Sequence, residues 1–384
     1  MASPPQQVTL LAKRVLVDLD DVTDQLVAAI VAADPSYGGT KAADLRASCR
    51  SNLERILEGL AGETSPGDVF DAPHATGSRR AQQGMPLESV LHAYRLGHRI
   101  IWDSLVAQAR EDDAVQGLVE AASYVWELVD SYSSEVGRAY RETEQAIARR
   151  DDRRRDALVD ALLEGRGHDR AVAADAASVL DLPERGDFVV IVLKGTPGAA
   201  DALRVRGFRS AWRDRADREI GLVALGGHSL TELHRVLEQV PHLRGGLSPV
   251  VEGLASVDTA HRLAETALRA LPPDATGLGS LDDRLPEALI VTAPDLAARL
   301  VDRALGGVLA LDPDERDLLL TTLAAWLATG GSAGQTATRL FCHRNTVLNR
   351  LRRVEALTGR STERVDDLVD WSLALRAREL LPES

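Results

Sequence analysis

A short stretch near the C-terminus concentrates arginine in a chain that is acidic overall. The chain carries a formal net charge of −13. Between residues 339 and 364, however, seven arginines stand against two glutamates, which gives a local charge of +5. The arginines are Arg339, Arg344, Arg350, Arg352, Arg353, Arg360 and Arg364. Arginine binds phosphate and the edge of guanine, and asparagine binds adenine, so this stretch has the chemistry of a small nucleic-acid contact.

The residues around this stretch predict three consecutive helices. Asp312-Pro313 starts the first, Gly330-Gly331 ends it, and Ser332 caps a short second helix over AGQTATRL. A tight connection, Phe341 to His343, then leads into the third helix, RNTVLNRLRRVEALTG. This order is typical of a helix-turn-helix, whose last helix enters the major groove of DNA.

The third predicted helix has an apolar side and a polar side. Val347, Leu351, Val354 and Leu357 follow helical spacing and are expected to pack inward. The outward residues are Arg344, Asn345, Asn349, Arg352 and Arg353, of which those near the helix start suit base reading. Thr346, Arg350 and Arg353 are better suited to phosphate. The alternative interpretation is an ordinary solvated amphipathic helix with an arginine face.

A second group of residues with useful chemistry lies in the N-terminal part of the chain. Arg95, His98 and Trp102 follow one face of a predicted helix, where Arg95 and His98 could bind an anionic signal. The alternative is a role in packing and salt bridges. No metal-ligand spacing, phosphate-binding glycine loop or nucleophile motif is found in the sequence, so we expect no catalytic residue, metal or cofactor.

Composition bounds the class of protein. A chain of 384 residues is long enough for two to four domains. Its two cysteines, Cys49 and Cys342, cannot form a disulfide framework, which fits a reducing compartment. The N-terminus lacks the order of a signal peptide, and no uncharged apolar stretch is long enough to span a membrane. We therefore expect a cytoplasmic protein without a membrane partner.

Periodicity divides the chain into three parts and predicts a multidomain, mainly α protein. Residues 1–165 are predicted to be helical, with a loop between Gly62 and Gly84. Residues 123–164 are predicted to form one long connector helix; the alternative is two helices separated near Gly137. Residues 166–285 are predicted to alternate strands with helices, which indicates an α/β domain. The segment FRSAWRDRADR is predicted to be one of these helices. Residues 286–384 are predicted to be helical, with breaks at Gly306-Gly307, Gly330-Gly331 and Gly359.

The C-terminal motif resembles a known family. LFCHRNTVLNRLRRVEALTG is similar to LFVHRNTVRYRLRRIEELTG, which is typical of PucR/CdaR-type bacterial transcriptional regulators, and the resemblance covers residues 314–380. It implies DNA binding through this helix-turn-helix. Cys342 and Leu348-Asn349 depart from the typical residues, and the second departure leaves the base preference open.

Two upstream resemblances cover most of the remaining chain. GLSPVVEGLASVDTAHRLAETALRAL resembles the end of the GGDEF-like middle domain of these regulators. The chain has no GGDEF or GGEEF signature, so cyclase activity is not expected. SRRAQQGMPLESVLHAYRLGHRIIWDSL, together with SNLERILEGLA, resembles the globin-like, helical sensor domain of RsbR type found in actinobacterial members.

These features together predict a transcriptional regulator that binds an inverted-repeat operator in double-stranded DNA and responds to a small-molecule or protein signal. One recognition helix reads few base pairs, so we expect a homodimer or a higher oligomer. We expect the chains to be joined through the helical N-terminal region, the long 123–164 segment or both. In the long segment, the apolar positions that a second chain could cover are Val125, Leu128, Tyr132, Val136, Tyr140 and Ile147. The alternatives are a stressosome-like signalling scaffold that binds protein rather than DNA, and a degenerate cyclase.

Overall fold

The computed structural model describes residues 4–65, 68–195 and 198–381. The chain forms two compact units, Met1–Arg153 and Arg154–Ser384. In the described part of the chain, no helix is both long enough and apolar enough to cross a bilayer. The prediction of a mainly α protein with one α/β region is confirmed.

The first unit is built of helices that bury apolar residues recurring every three or four positions. Its helices are α1 (Gln6–Val17), α2 (Leu19–Ala33), α3 (Ala42–Ala61), α4 (Asp71–Gln82), α5 (Leu87–Glu111), α6 (Val115–Glu120) and the start of α7 (Ala122–Leu163). Short 3₁₀ turns at Pro35–Gly39 and Asp68–Phe70 connect some of them.

The loop predicted between Gly62 and Gly84 is largely helix α4, so that prediction was wrong. Pro73 lies in the first turn of α4, where its missing N–H is not needed. Gly77 packs so closely on the backbone of Val136 that a Cβ would not fit. Pro73 and Gly77 are therefore compatible with a closely packed helix. Pro66 and Gly67 of the predicted loop lie outside the described residues.

Helix α7 is continuous through Gly137, so the alternative of two broken helices is also wrong. Most of the apolar residues expected to join two chains are buried inside the first unit itself; they are Val125, Leu128, Tyr132, Val136 and Tyr140. Of the expected set only Ile147 is exposed, at 39%. The stripe therefore does not need a second chain to cover it, and the argument for a dimer through these residues fails.

The second unit begins with the end of α7 and a mixed sheet. Its strands are β1 (Asp187–Lys194), β2 (Arg209–Arg215), β3 (Arg218–Ala224), β4 (Arg244–Leu247), β5 (Val251–Glu252) and β6 (Gly277–Ser280). The sheet order is β2-β3-β1-β4-β6, with β5 also paired to β1. Pairing is antiparallel except between β4 and β6. Helices α8 (Arg170–Leu180), α9 (Ala199–Val205), α10 (Leu230–Leu237) and α11 (Val257–Arg269) accompany it.

Both faces of the central strand β1 are covered. Phe188, Val190 and Val192 contribute to one apolar core, and the alternate residues, such as Val189 and Ile191, contribute to another. Alternation along a strand explains this division, because successive side chains point to opposite faces. The α/β character predicted for this region is confirmed.

The segment FRSAWRDRADR is not helical. Most of it forms β2, which pairs in register with β3 across a turn at Ala216, where φ is +38°. The ring of Trp212 lies on Gly221 of β3, where any side chain would collide with it. Pairing with a strand that follows in sequence therefore overrides the helical composition of this segment.

The C-terminal part of the second unit is helical, as predicted. It contains α12 (Leu285–Thr292), α13 (Pro294–Leu309), α14 (Pro313–Ala328), α15 (Ala333–Arg339), α16 (Arg344–Thr358) and α17 (Val365–Leu380). Helices end at Gly330-Gly331 and at Gly359, but α13 runs through Gly306-Gly307 without a break. Gly307 is needed for a different reason, because the carbonyl of Leu357 approaches it too closely for a Cβ.

Candidate DNA-binding surface and ligand cavity

Helices α15 and α16 form the predicted helix-turn-helix. The hydroxyl of Ser332 caps α15 by accepting a hydrogen bond from the backbone N–H of Gln335, at 3.3 Å. His343 caps α16 in a similar way, since its Nδ1 accepts from the N–H of Asn345 at 3.2 Å. The intervening turn places Phe341 in a left-handed conformation, with φ of +50°. Both helix starts are therefore fixed locally by capping residues.

A narrow apolar stripe holds α16 against its domain. Val347, Leu351 and Val354 are buried in a core that also contains Trp371 of α17. These positions are four and three residues apart and therefore share one face of the helix. Leu357, the fourth residue predicted to pack inward, is partly buried against the same core.

The opposite face of α16 is polar and exposed. It presents Asn345, Asn349 and Arg352, and Arg344 is exposed beside it at the start of the helix. Nη1 of Arg352 donates a hydrogen bond to Oδ1 of Asn349 at 3.0 Å. Four of the residues predicted to face outward, including those at the helix start that suit base reading, are therefore on the solvent side of the helix.

The residues predicted to bind phosphate lie on the flank that faces α14. Nη1 of Arg350 donates to the hydroxyl of the buried Thr322 at 3.3 Å, and Arg350 is half-buried. Nε of Arg353 lies 3.3 Å from Oε1 of Glu315. Thr346 is half-buried. Both arginines therefore contact α14 within their own domain, and Arg353 has an acidic partner that a phosphate would have to replace.

One arginine of the basic stretch has a structural role. Arg360 is half-buried between Asp367, at 3.1 Å, and Asp370, at 2.9 Å. The backbone N–H of Ser361, together with Arg364 and Arg360, holds the pKa of Asp367 below its usual range. This ion-pair group ties the end of α16 to α17, so the charge of Arg360 is not available to a ligand.

Sequence reasoning missed Phe341 as a candidate contact. Its side chain is 98% exposed at the turn immediately before α16. A large apolar side chain so exposed, beside a polar recognition face, is suited to contact a thymine methyl group. The sequence shows only an aromatic residue in a short connection, and exposure at such a position depends on the turn conformation.

The candidate effector residues do not form one site. Arg95 is exposed, and Trp102 packs against Trp126 with ring centroids 5.7 Å apart. His98 is buried and lines an internal cavity. Burial lowers its pKa to about 4, and Asp130 opposes this effect only in part. Of the three residues, the structure places only His98 where a bound molecule could be enclosed.

The cavity lies among α2, α3, α4, α5 and α7 and has a volume of about 60 Å³. Its polar lining residues are Tyr37, Ser48, Cys49, Asn52, Thr76, Arg80, Tyr94, His98 and Tyr132. Nδ2 of Asn52 donates to Oγ1 of Thr76 at 2.8 Å, and the hydroxyl of Tyr94 donates to Oδ1 of Asn52 at 2.6 Å. Apart from His98, sequence reasoning missed these residues because they come from elements distant along the chain.

Comparison with known families matches each part of the chain to a domain. The PucR C-terminal helix-turn-helix domain matches residues 319–377, which include α15 and α16. The C-terminal region is a PucR-type helix-turn-helix domain. The N-terminal domain of the RsbT co-antagonist protein RsbRD matches residues 20–155, and a GGDEF-like domain matches residues 164–270. The resemblance inferred from sequence is confirmed for all three domains.

Individual relatives cover smaller parts of this chain. The purine catabolism regulatory protein of Bacillus subtilis (strain 168) is 40% identical over 73 residues, which are 19% of this chain and 14% of that protein. An uncharacterized protein in the pkwA 5′ region of Thermomonospora curvata is 38% identical over 113 residues, 29% of this chain and 61% of that protein. The matches thus span less than two thirds of each curated relative.

Among solved structures, the chain is similar to the regulator of polyketide synthase expression from Bifidobacterium adolescentis. The sequence identity is 22% and the TM-score is 0.32. The similarity covers 58% of this chain and 91% of that one.

The buried His98 leads to a prediction about stability and pH. Its pKa is 6.5 in an ordinary setting and about 4 in the folded protein, so between these values the unfolded chain binds more protons. We therefore expect His98 to make the free energy of unfolding fall by about 2 kcal/mol as the pH drops from 7 to 5. In His98→Gln this component should be absent. Urea unfolding of both proteins at the two pH values measures it, and an equal loss in both would show that His98 does not titrate as expected.

Proposed function

We propose that the protein is a sequence-specific, DNA-binding transcriptional regulator of PucR type. The observation that carries the proposal is the exposed polar face of α16, with Arg344 and Asn345 at its start, in a helix-turn-helix held by a buried stripe. The N-terminal residues of a recognition helix are the ones that meet base edges in the major groove. A role on bacterial DNA would place the protein in the cytoplasm.

The chemistry of this face suggests how bases are read. Arg344 and Arg352 suit the O6 and N7 atoms of guanine, and Asn345 and Asn349 suit the N6 and N7 atoms of adenine. Phe341 would contact a thymine methyl group beside them. Thr346, Arg350 and Arg353 would bind phosphate, which positions the helix without adding sequence preference. For Arg353 this requires exchanging Glu315 for a phosphate.

The middle domain would act as a relay between a signal and the DNA-binding domain, without catalysis. The turn of its β2-β3 hairpin reads RDRADRE, which does not provide the paired acidic motif of GGDEF type. The arginines there are engaged nearby, since Arg213 and Arg215 contact Asp160 of α7 at 3.1 and 2.7 Å. The hairpin is thus tied to the connector helix, as a relay requires.

The domain boundaries 1–165, 166–285 and 286–384 remain proposals. Helix α12 supports the last boundary, because Ile290 packs with Ala377 of α17 in a small apolar cluster. Arg376 of α17 also forms an ion pair with Glu287 of α12 at 2.6 Å. Helix α12 therefore packs on the helical C-terminal domain, and the proposed boundary falls at its first residue.

We further propose that the working form is at least a homodimer bound to an inverted-repeat operator. The homodimer is supported by the geometry of DNA recognition alone, because one recognition helix reads too few base pairs to select a site in a genome. The apolar residues of α7 no longer support it, as they are buried within one chain.

A second candidate function is a signalling scaffold that binds protein rather than DNA. The match of residues 20–155 to the RsbRD N-terminal domain favours it, because that domain is named for a co-antagonist of RsbT. The two functions differ in whether the C-terminal domain binds duplex DNA. Binding to a selected duplex, measured by fluorescence anisotropy, separates them, and no binding at low salt would favour the scaffold.

The base-reading face is tested with single substitutions. Arg344→Ala and Asn345→Ala should each weaken binding to an operator obtained by in vitro selection by about 1–3 kcal/mol, since each removes a base contact. Arg299→Ala on α13 is the matched control, because Arg299 is exposed in the same domain but lies outside the recognition helix. Wild-type affinity in both α16 variants would contradict the proposed docking.

The Arg353–Glu315 pair is tested through salt dependence. Arg353→Ala should weaken binding to all duplexes alike and reduce the salt slope by about 0.9, the value for one lost phosphate contact. Glu315→Gln should raise affinity by up to about fivefold, because exposed ion pairs contribute roughly 0.2–1 kcal/mol and this one competes with phosphate. A loss confined to one sequence in Arg353→Ala would contradict the phosphate role.

The proposed dimer is tested in solution. Light scattering at micromolar concentration should give at least twice the chain mass of 41.3 kDa. The full operator should also bind more tightly than an isolated half-site, because two recognition helices then engage one DNA molecule. A monomer, or equal affinity for half-site and operator, would exclude a dimeric reader.

A further inference from the structure

The first unit contains a buried arginine without an acidic partner. Arg80 on α4 is 2% exposed. Its Nη1 donates to Oε1 of Gln83 at 2.8 Å, and its guanidinium lies 5.5 Å from the centroid of the Tyr37 ring. Among the described residues, no carboxylate lies within ion-pair distance of it. A buried guanidinium keeps its charge, so this arrangement is unfavourable unless an anion compensates it.

Arg80 is the charged residue in the lining of the cavity described above. Burial raises the pKa of Tyr37 to about 12 and that of Cys49 to about 11. Burial also raises the pKa of Tyr94 and lowers that of His98 to about 4. At neutral pH all four are therefore uncharged, and the described lining carries a single positive charge.

Polar groups that can bind an anion surround this charge. Ser48 and Thr76 place their hydroxyl oxygens 3.3 Å apart, and either can donate a proton. Asn52 and Tyr94 fix the other side of this network through their hydrogen bonds to each other and to Thr76. The guanidinium has five N–H donors, and its described hydrogen bond uses only Nη1.

We propose that this cavity binds a small planar monoanion, the chemistry shared by a short carboxylate and nitrate, with Arg80 as its counter-ion. The volume of about 60 Å³ limits the size. It corresponds to roughly two water molecules at ~30 Å³ each, which suits an anion of the size of acetate. A planar anion also matches the flat fork of a guanidinium.

The role of this anion as the signal of a regulator rests on the proposed function, whereas its binding to the cavity does not. The candidate residues Arg95 and Trp102 do not line the cavity, whereas His98 does so as a neutral group. Binding is measured on the full chain without DNA. If the protein did not bind an operator, the proposed anion site would be unaffected. If the anion did not bind, the proposed DNA binding would be unaffected.

The test is thermal unfolding of the full chain with acetate or nitrate at constant ionic strength, with chloride and acetamide as controls. Acetate, nitrate or both should raise the Tm, and the arm that responds identifies the anion. Arg80→Gln should weaken the response by about tenfold or more in concentration, because a charge-assisted hydrogen bond is lost. Arg79→Gln is the matched control, as Arg79 is the neighbouring arginine but is exposed.

No specific response in the wild type, or an equal response in Arg80→Gln, would overturn the proposal. Should Arg80→Gln not fold, alkylation of the wild type provides the second measurement. Cys49 lines the cavity, while Cys342 lies in the C-terminal domain and serves as an internal reference. The anion should slow modification at Cys49 at least several-fold and leave Cys342 unchanged, and identical rates at Cys49 with and without it would overturn the proposal.

Discussion

The attachment of α16 to its domain is the constraint on which the proposed function depends. Val347, Leu351 and Val354 occupy one narrow side of the helix, so the remaining circumference is free for polar residues. Burying each such side chain contributes about 1.5–3 kcal/mol, enough to fix the rotation of the helix about its axis. The ion pair of the half-buried Arg360 with the buried Asp367 then fixes the C-terminal end of the helix. A change in either would turn the polar face away from a groove without altering a base-reading residue.

Neighbouring side chains partly compensate the positive charge of α16 within this acidic protein. Glu315 lies beside Arg353, and Asn349 beside Arg352, so the basic face is partly satisfied in the absence of DNA. Exposed pairs of this kind are weak and readily exchanged. If the proposed DNA binding is correct, these pairs would hold the side chains ready for phosphate and bases and would discourage unspecific attachment to nucleic acid. This matches the role of rim charges, which tune specificity and association more than affinity.

Sequence predicted the parts of the fold whose causes are local. The two faces of α16 follow from spacing, and the buried strand β1 follows from a run of β-branched residues. The prediction for β2 was wrong because this strand is fixed by pairing with the next strand, where Trp212 lies on Gly221, and not by its own residue pattern. The ligand cavity could not be predicted either, because sequence cannot distinguish the buried Arg80 from the exposed Arg79 beside it. Only the packing of α4 separates these two residues.

Helix α7 gives a physical route by which an anion in the cavity could influence the rest of the chain. Tyr132 of α7 lines the cavity, and Val159 and Leu162 of the same helix are buried in the core of the second unit. A ligand shifts a conformational equilibrium only through its different affinity for the two states. In the proposed anion site, Arg80 would supply such a difference, because a bound anion would neutralise a buried charge. In the proposed mechanism, a conformational preference set at Tyr132 would be carried by α7 itself, which is unbroken from Ala122 to Leu163.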